Sequence, residues 1–215
     1  MMNKSHLIGA ICAFLFSFIT VSANAALLPR LETSPGSGVY QAYYDDQLKI
    51  TWTADANING IATWDDQVAW AAGLTIGGVS GWRLPSMDIN GDLIFENCLS
   101  ATQEECLDNE FGHLFYYGAG TILGSGIESD SPNPFSNVQA GPYWSSTELF
   151  PGSTAALDFF FDSSSPGQSV NLKSNPGLFA WAVRSGDVGV VPVPAAIWLF
   201  GSGFIGLLGL ARRKR

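Results

Sequence analysis

A chain of 215 residues, 47% hydrophobic and only 13% charged, has room for one ordinary domain plus targeting segments. Four of its ten basic residues stand together at the C-terminus, whereas all 19 acids lie between Glu32 and Asp187, so the stretch 26–190 sets five basic residues against 19 acids, a net charge of −14. Such a surface repels polyanions, and no basic stripe with interleaved aromatics offsets it, which excludes nucleic acid as a partner.

The first 25 residues run from Lys4 through an apolar stretch, Leu7 to Val21, to the small residues Ser22-Ala23-Asn24-Ala25. This order predicts a signal peptide over 1–25, cleaved after Ala25, and hence export. The competing reading is an uncleaved anchor helix; the shortness of the run and its small-residue end favour cleavage. Cleavage removes Cys12 and leaves Cys98 and Cys106 as a pair. In an oxidising compartment that pair is expected to close a disulfide, stabilising by roughly 2–3 kcal/mol. A two-thiolate metal or redox site is the alternative, and it lacks both C-x-x-C spacing and nearby His or Cys ligands.

Residues 26–38 read as a linker and 39–187 as one domain, rich in Trp, Phe, Tyr, Gly, Asn and Ser with turn signals at short intervals. That pattern predicts an α+β fold of short strands, few helices and long loops. Leu48-Lys-Ile-Thr-Trp52 alternates as a strand. Thr63 to Gly73 reads as a helix, with Thr63 as N-cap, acids in the first turn, and Trp64, Val68 and Ala71 on one face. Asp88-Ile-Asn90-Gly-Asp92 places three oxygen side chains at alternating positions, as the opening of a calcium loop does, with Glu96 further along. Gly91 comes too early for an EF-hand turn, and Leu99 stands where the bidentate acid belongs. A solvated loop rich in Asp and Asn therefore competes with a calcium site formed by Asp88, Asn90 and Asp92. No other cofactor is expected.

Asp108 to Tyr117 reads as a second short helix, and Tyr143–Ser146, Ala156–Phe161, Ser169–Lys173 and Phe179–Arg184 as strands. His113, inside the aromatic segment Glu110 to Tyr117, is the one imidazole outside the signal segment; it is expected to be a packed residue rather than a general base. The acid pairs Asp45-Asp46, Asp65-Asp66 and Glu104-Glu105 are expected on solvated faces, with no spacing that selects a glycosidase pair. Trp52, Trp64, Trp82, Trp144 and Trp181 would stack on sugars if exposed, but core packing is the better expectation for most of them.

Several of these segments together resemble a bacterial domain of unknown function that also forms the C-terminal region of Legionella collagen-like adhesins. The matching pieces are Leu48–Trp52, the Thr63–Ala71 helix, Gly81-Trp-Arg-Leu-Pro-Ser86, Tyr143-Trp-Ser-Ser-Thr-Glu148 and Phe179-Ala-Trp-Ala-Val-Arg184. The resemblance implies a C-type-lectin-like fold in which a frame of Trp and Gly carries long loops. The adhesins bind sulfated polysaccharide through basic surface. This chain departs from them by being acidic, so that ligand is not carried over. A neutral or cationic glycan, a partner protein or a metal-bridged ligand fits the charge better, and no motif selects among them.

The last segment, 188–215, holds Val191-Pro192-Val193-Pro194-Ala195, an apolar run from Ala196 to Ala211, and the basic end Arg212, Arg213, Lys214 and Arg215. The prolines hold the chain extended, the apolar run is expected to form a short transmembrane helix, and the basic end stays cytoplasmic, which puts the domain outside. The segment resembles the PEP-CTERM sorting signal in its Val-Pro-x-Pro-Ala variant. That resemblance implies an exosortase-type processing protease as partner, an inner-membrane intermediate, and delivery to the cell surface or extracellular matrix of a Gram-negative bacterium making exopolysaccharide or biofilm. A permanent single-span anchor is the alternative. The combined expectation is a non-enzymatic surface or matrix protein that associates with exopolysaccharide or a surface partner, with a secreted glycan-acting hydrolase as the competing reading.

Overall fold

Strand β2, Tyr40–Asp45, turns into β3, Ile50–Thr53, because Asp45 closes the connection. Its Oδ1 accepts the N–H groups of Gln47 and Leu48, an Asp-based turn that holds the strands in antiparallel register with Asp45 opposite Ile50. These elements belong to a computed structural model that describes residues 27–102, 104–117, 134–162 and 166–189. The predicted signal segment, the sorting motif, the apolar tail helix and the basic end lie outside the described residues. Among the described residues no helix is long and apolar enough to cross a membrane.

Among the described residues, two antiparallel sheets and two helices make up a small α+β domain. With β1 at Leu27–Glu32, β4 at Pro142–Glu148, β5 at Ala155–Phe160, β6 at Gly167–Leu172 and β7 at Val183–Ser185, the first sheet has the order β1-β2-β3-β7 and the second β4-β5-β6. The stretch expected to be a linker carries β1, Leu27–Glu32, which pairs with β2 along its length. Pro29 hides this strand from a propensity argument, yet an edge strand tolerates proline because its outward N–H has no partner to lose. Arg30 of β1 grips Asp187 through both carboxylate oxygens, at 2.6 and 2.7 Å, so the two ends of the domain are fastened together.

Helix α1, Trp64–Gly73, begins as expected. Thr63 caps it by accepting from Asp66 N–H, and Ala71 is buried with Trp64 and Val68 packed beside it. Helix α2, Glu110–Tyr116, is capped by the Asn109 side chain and drives Phe111, Leu114 and Phe115 into the main core. There Phe111 meets Trp52, Tyr143, Phe159 and Phe161 at centroid distances of 5.3–6.2 Å. Such pairs contribute about 0.5–1.5 kcal/mol each beyond the area they bury.

Strands β4, Pro142–Glu148, β5, Ala155–Phe160, and β6, Gly167–Leu172, overlap the segments expected as strands over Tyr143–Ser146, Ala156–Phe161 and Ser169–Lys173. The segment expected as a strand over Phe179–Arg184 is regular only at its end, as β7, Val183–Ser185. Before that it acts as a seam between the sheets. Phe179 exchanges backbone hydrogen bonds with Pro142 and Trp144 of the second sheet, and Ala182 C=O accepts from Thr53 of the first. Serving two sheets in turn prevents a continuous ladder, and full burial of Ala180, Trp181, Ala182 and Val183 compensates.

Candidate functional site

The motif segments form the frame and point inward. In Gly81–Ser86, Trp82 is buried and donates to Val79 C=O, and Arg83 makes two hydrogen bonds of 2.6 and 2.7 Å to the buried Glu110 carboxylate. Ser86 N–H donates to the same carboxylate. In Tyr143–Glu148, Trp144 donates to Ala62 C=O and Ser145 to Leu157 C=O. Trp181 donates to Thr53 C=O. Trp52, Trp82, Trp144 and Trp181 are thus core residues, and Trp64 is half-buried with Lys173 over its ring at 4.0 Å.

From this frame one long loop departs at Ser86 and returns at Asn109. Its start is pinned by Met87 N–H on Thr147 Oγ1 and its middle by Gln168 on Phe95 C=O. The Cys98–Cys106 disulfide closes its far end. The bridge packs on α2 at Gly112, where any β-carbon would collide with Cys98 Sγ, so glycine there is a condition of disulfide and helix lying together.

Inside the loop, Asp88 organises the backbone. Its Oδ1 accepts from Gly91 and Asp92 N–H and its Oδ2 from Leu93 N–H. Asp92 Oδ1 accepts from Ile94 N–H. Asn90 turns its side chain to Asp92, accepting from the Asp92 N–H and donating to its Oδ2. Of the expected trio Asp88, Asn90 and Asp92, the two carboxylates are brought together while Asn90 acts as an internal brace. Asp108 takes the third place: carboxylate oxygens of Asp88, Asp92 and Asp108 lie within 4.8 Å of one another. Asp108 Oδ1 accepts from Asn90 N–H, while its Oδ2 is buried without a hydrogen-bond partner. Glu96 is not one of the three converging acids; its backbone C=O accepts from the Asn109 side chain. Three converging hard oxygens suit a divalent cation such as calcium.

Sequence reasoning missed Asp108 because it looked for an acid at the twelfth position, where Leu99 stands. The disulfide-closed turn and the short 3-10 segment Glu105–Asp108 carry an acid back to the loop's beginning from twenty residues away. The signal that was available was the cysteine pair itself, since a closed excursion returns its far end to its start.

The other titratable groups are shut in or solvated. His113 has no exposed surface, neither ring nitrogen has a hydrogen-bond partner, and burial pushes its pKa down to about 4. Asp45 and Asp158 are also fully buried, each with one unpartnered oxygen, and burial raises both above the usual carboxylate range. Asp65, Asp66, Glu104 and Glu105 are exposed. A shallow cavity of about 460 Å³, lined by Asp46, Gln47, Lys49, Glu104 and Leu107, lies between the β2–β3 turn and the 3-10 segment. No family model, no curated protein and no solved structure matches the chain.

Proposed function

We propose that this chain is an exported, non-enzymatic surface or matrix protein whose domain associates with exopolysaccharide or a surface partner through the disulfide-stapled acidic loop 86–109. The observation that carries the reading is the construction of that loop: it rests on a frame whose motif residues are consumed by internal hydrogen bonds, and it is closed by a disulfide, a bond that persists in oxidising compartments. Its net −14 setting favours a neutral or cationic partner, or one bridged by a metal ion. The motif segments support a C-type-lectin-like arrangement, in which loops on a fixed frame do the binding.

Sorting rests on the sequence of Val191–Ala195, the apolar run and Arg212–Arg215 alone: an exosortase-type protease would process the chain at the inner membrane, and the domain would pass to the surface or matrix. Calcium is the ion the oxygen set of Asp88, Asp92 and Asp108 would take, fixing the loop for its partner. Extracellular calcium modules bind at about 10⁻⁴–10⁻³ M.

Titration of the purified protein with calcium, followed by thermal melting and calorimetry, tests this reading. Saturation at ten times Kd stabilises the fold by about 1.4 kcal/mol, and Asp108→Asn removes the effect. Unchanged melting with calcium, together with partner binding that ignores both calcium and Asp92→Asn, would overturn the role given to the loop.

A further inference from the structure

The second sheet ends at β6, and among the described residues no strand lies beyond it. Lys173 N–H donates to Thr154 C=O across the end of the β5–β6 pair. Hydrogen-bonding direction alternates along an antiparallel strand, so Ser169 and Asn171 direct their backbone groups to β5, while Gln168 and Val170 direct theirs outward. Proteins usually blunt such an edge with charge, proline or a bulge. Here the strand reads Gly-Gln-Ser-Val-Asn-Leu, with none of these. It also exposes apolar surface: Val170 is 45% and Leu172 61% exposed. Ile94, 61% exposed, stands next to Phe95, whose C=O is bound by Gln168.

We propose that two copies of this chain join by antiparallel pairing of β6 with β6 about a two-fold axis at Val170, making one continuous sheet β4-β5-β6-β6-β5-β4. Residues opposite each other in a sheet share a face, so a two-fold axis normal to the sheet can pass through a residue pair of the kind Val170 with Val170. That register uses the outward N–H and C=O of both valines in a reciprocal pair and sets Leu172 opposite Gln168. Charge selects the occupant. Two domains of net −14 repel wherever their acids face each other, and Pro166 to Leu172 has no charged side chain. The same neutrality offers a charged foreign strand no complement. The inference rests on sheet topology and composition and is independent of calcium and of the sorting tail.

The test uses the full chain exported in an oxidising host and purified in mild detergent. Sedimentation should give a concentration-dependent dimer, and Val170→Lys should return it to monomer mass, with a cooperative melt whose midpoint no longer depends on protein concentration. Opposed Cα atoms in a hydrogen-bonded pair are about 5.5 Å apart, within disulfide reach. Val170→Cys should therefore yield a covalent dimer on a non-reducing gel, whereas Val39→Cys, at a position 57% exposed beside the other sheet, should not. A wild-type monomer at every concentration overturns the proposal. So does a dimer that survives Val170→Lys without a cross-link through Val170→Cys, which would place association in the tail helix. A monomer whose edge instead takes up an extended foreign peptide overturns it in favour of strand addition.

Discussion

His113 faces Tyr117 at a ring distance of 5.9 Å within the packed end of α2, and its two nitrogens bond to nothing. Its pKa is about 4 in the folded protein and about 6.5 once unfolded, so between these values the unfolded chain binds more protons and stability falls as pH drops. The slope reaches about 1.4 kcal/mol per pH unit at its steepest. Asp45 and Asp158 oppose this trend: their raised values stabilise at low pH and lose that contribution as pH rises through them. Melting temperatures measured from pH 6.5 down to pH 4.5 should fall for the wild type and fall much less for His113→Leu; parallel curves would contradict this account. At this scale the sequence was informative about kind and silent about place. A lone imidazole among aromatics was legible as packed, but nothing in Asp108 itself marks it as a neighbour of Asp88. Conversely, the alternation that nominated Asn90 could not reveal that its side chain is spent on Asp92.

Among the elements, the legible ones carry their own signals. Helix α1 has a capping Thr63 and a periodic apolar face, β6 alternates polar and apolar residues, and β4 and β5 carry their aromatic residues in short runs between turn residues. Strand β1 was hidden by Pro29, and β2, Tyr-Gln-Ala-Tyr-Tyr-Asp, buries only Ala42 and Asp45 fully, so its pattern is weak. The segment before β7 looked like a strand because it is apolar throughout, and it is buried for the different reason that it joins two sheets. The Gly81–Ser86 motif meets α2 at Glu110, through Ser86 and through the Arg83–Glu110 ion pair, in which the Glu110 side chain is 1% exposed and that of Arg83 36%. Glu110→Gln removes the charge while keeping an oxygen for Ser86 N–H. It should lower stability by about 2 kcal/mol in urea denaturation, and Arg83→Met should add little more once Glu110 is changed. Full additivity of the two would show that the pair does not couple the motif to the helix.

For the whole molecule, the Arg30–Asp187 clasp brings together the two ends of the domain, next to which the predicted signal segment and sorting tail are attached in sequence. The α+β character and the disulfide were legible from turn spacing and cysteine arithmetic, because both depend on composition along the chain. The two-sheet order was not, since β7 reaches β3 across more than a hundred residues and no local pattern encodes that pairing. Export and sorting are tested by the intact mass of the protein recovered from its own host, beside a variant with Pro192→Ala and Pro194→Ala. The mature chain should begin at Ala26 and lack the apolar run and Arg212–Arg215, with the variant keeping its tail in the inner membrane. A wild-type mass that retains residues 1–25 or the entire tail would contradict this expectation.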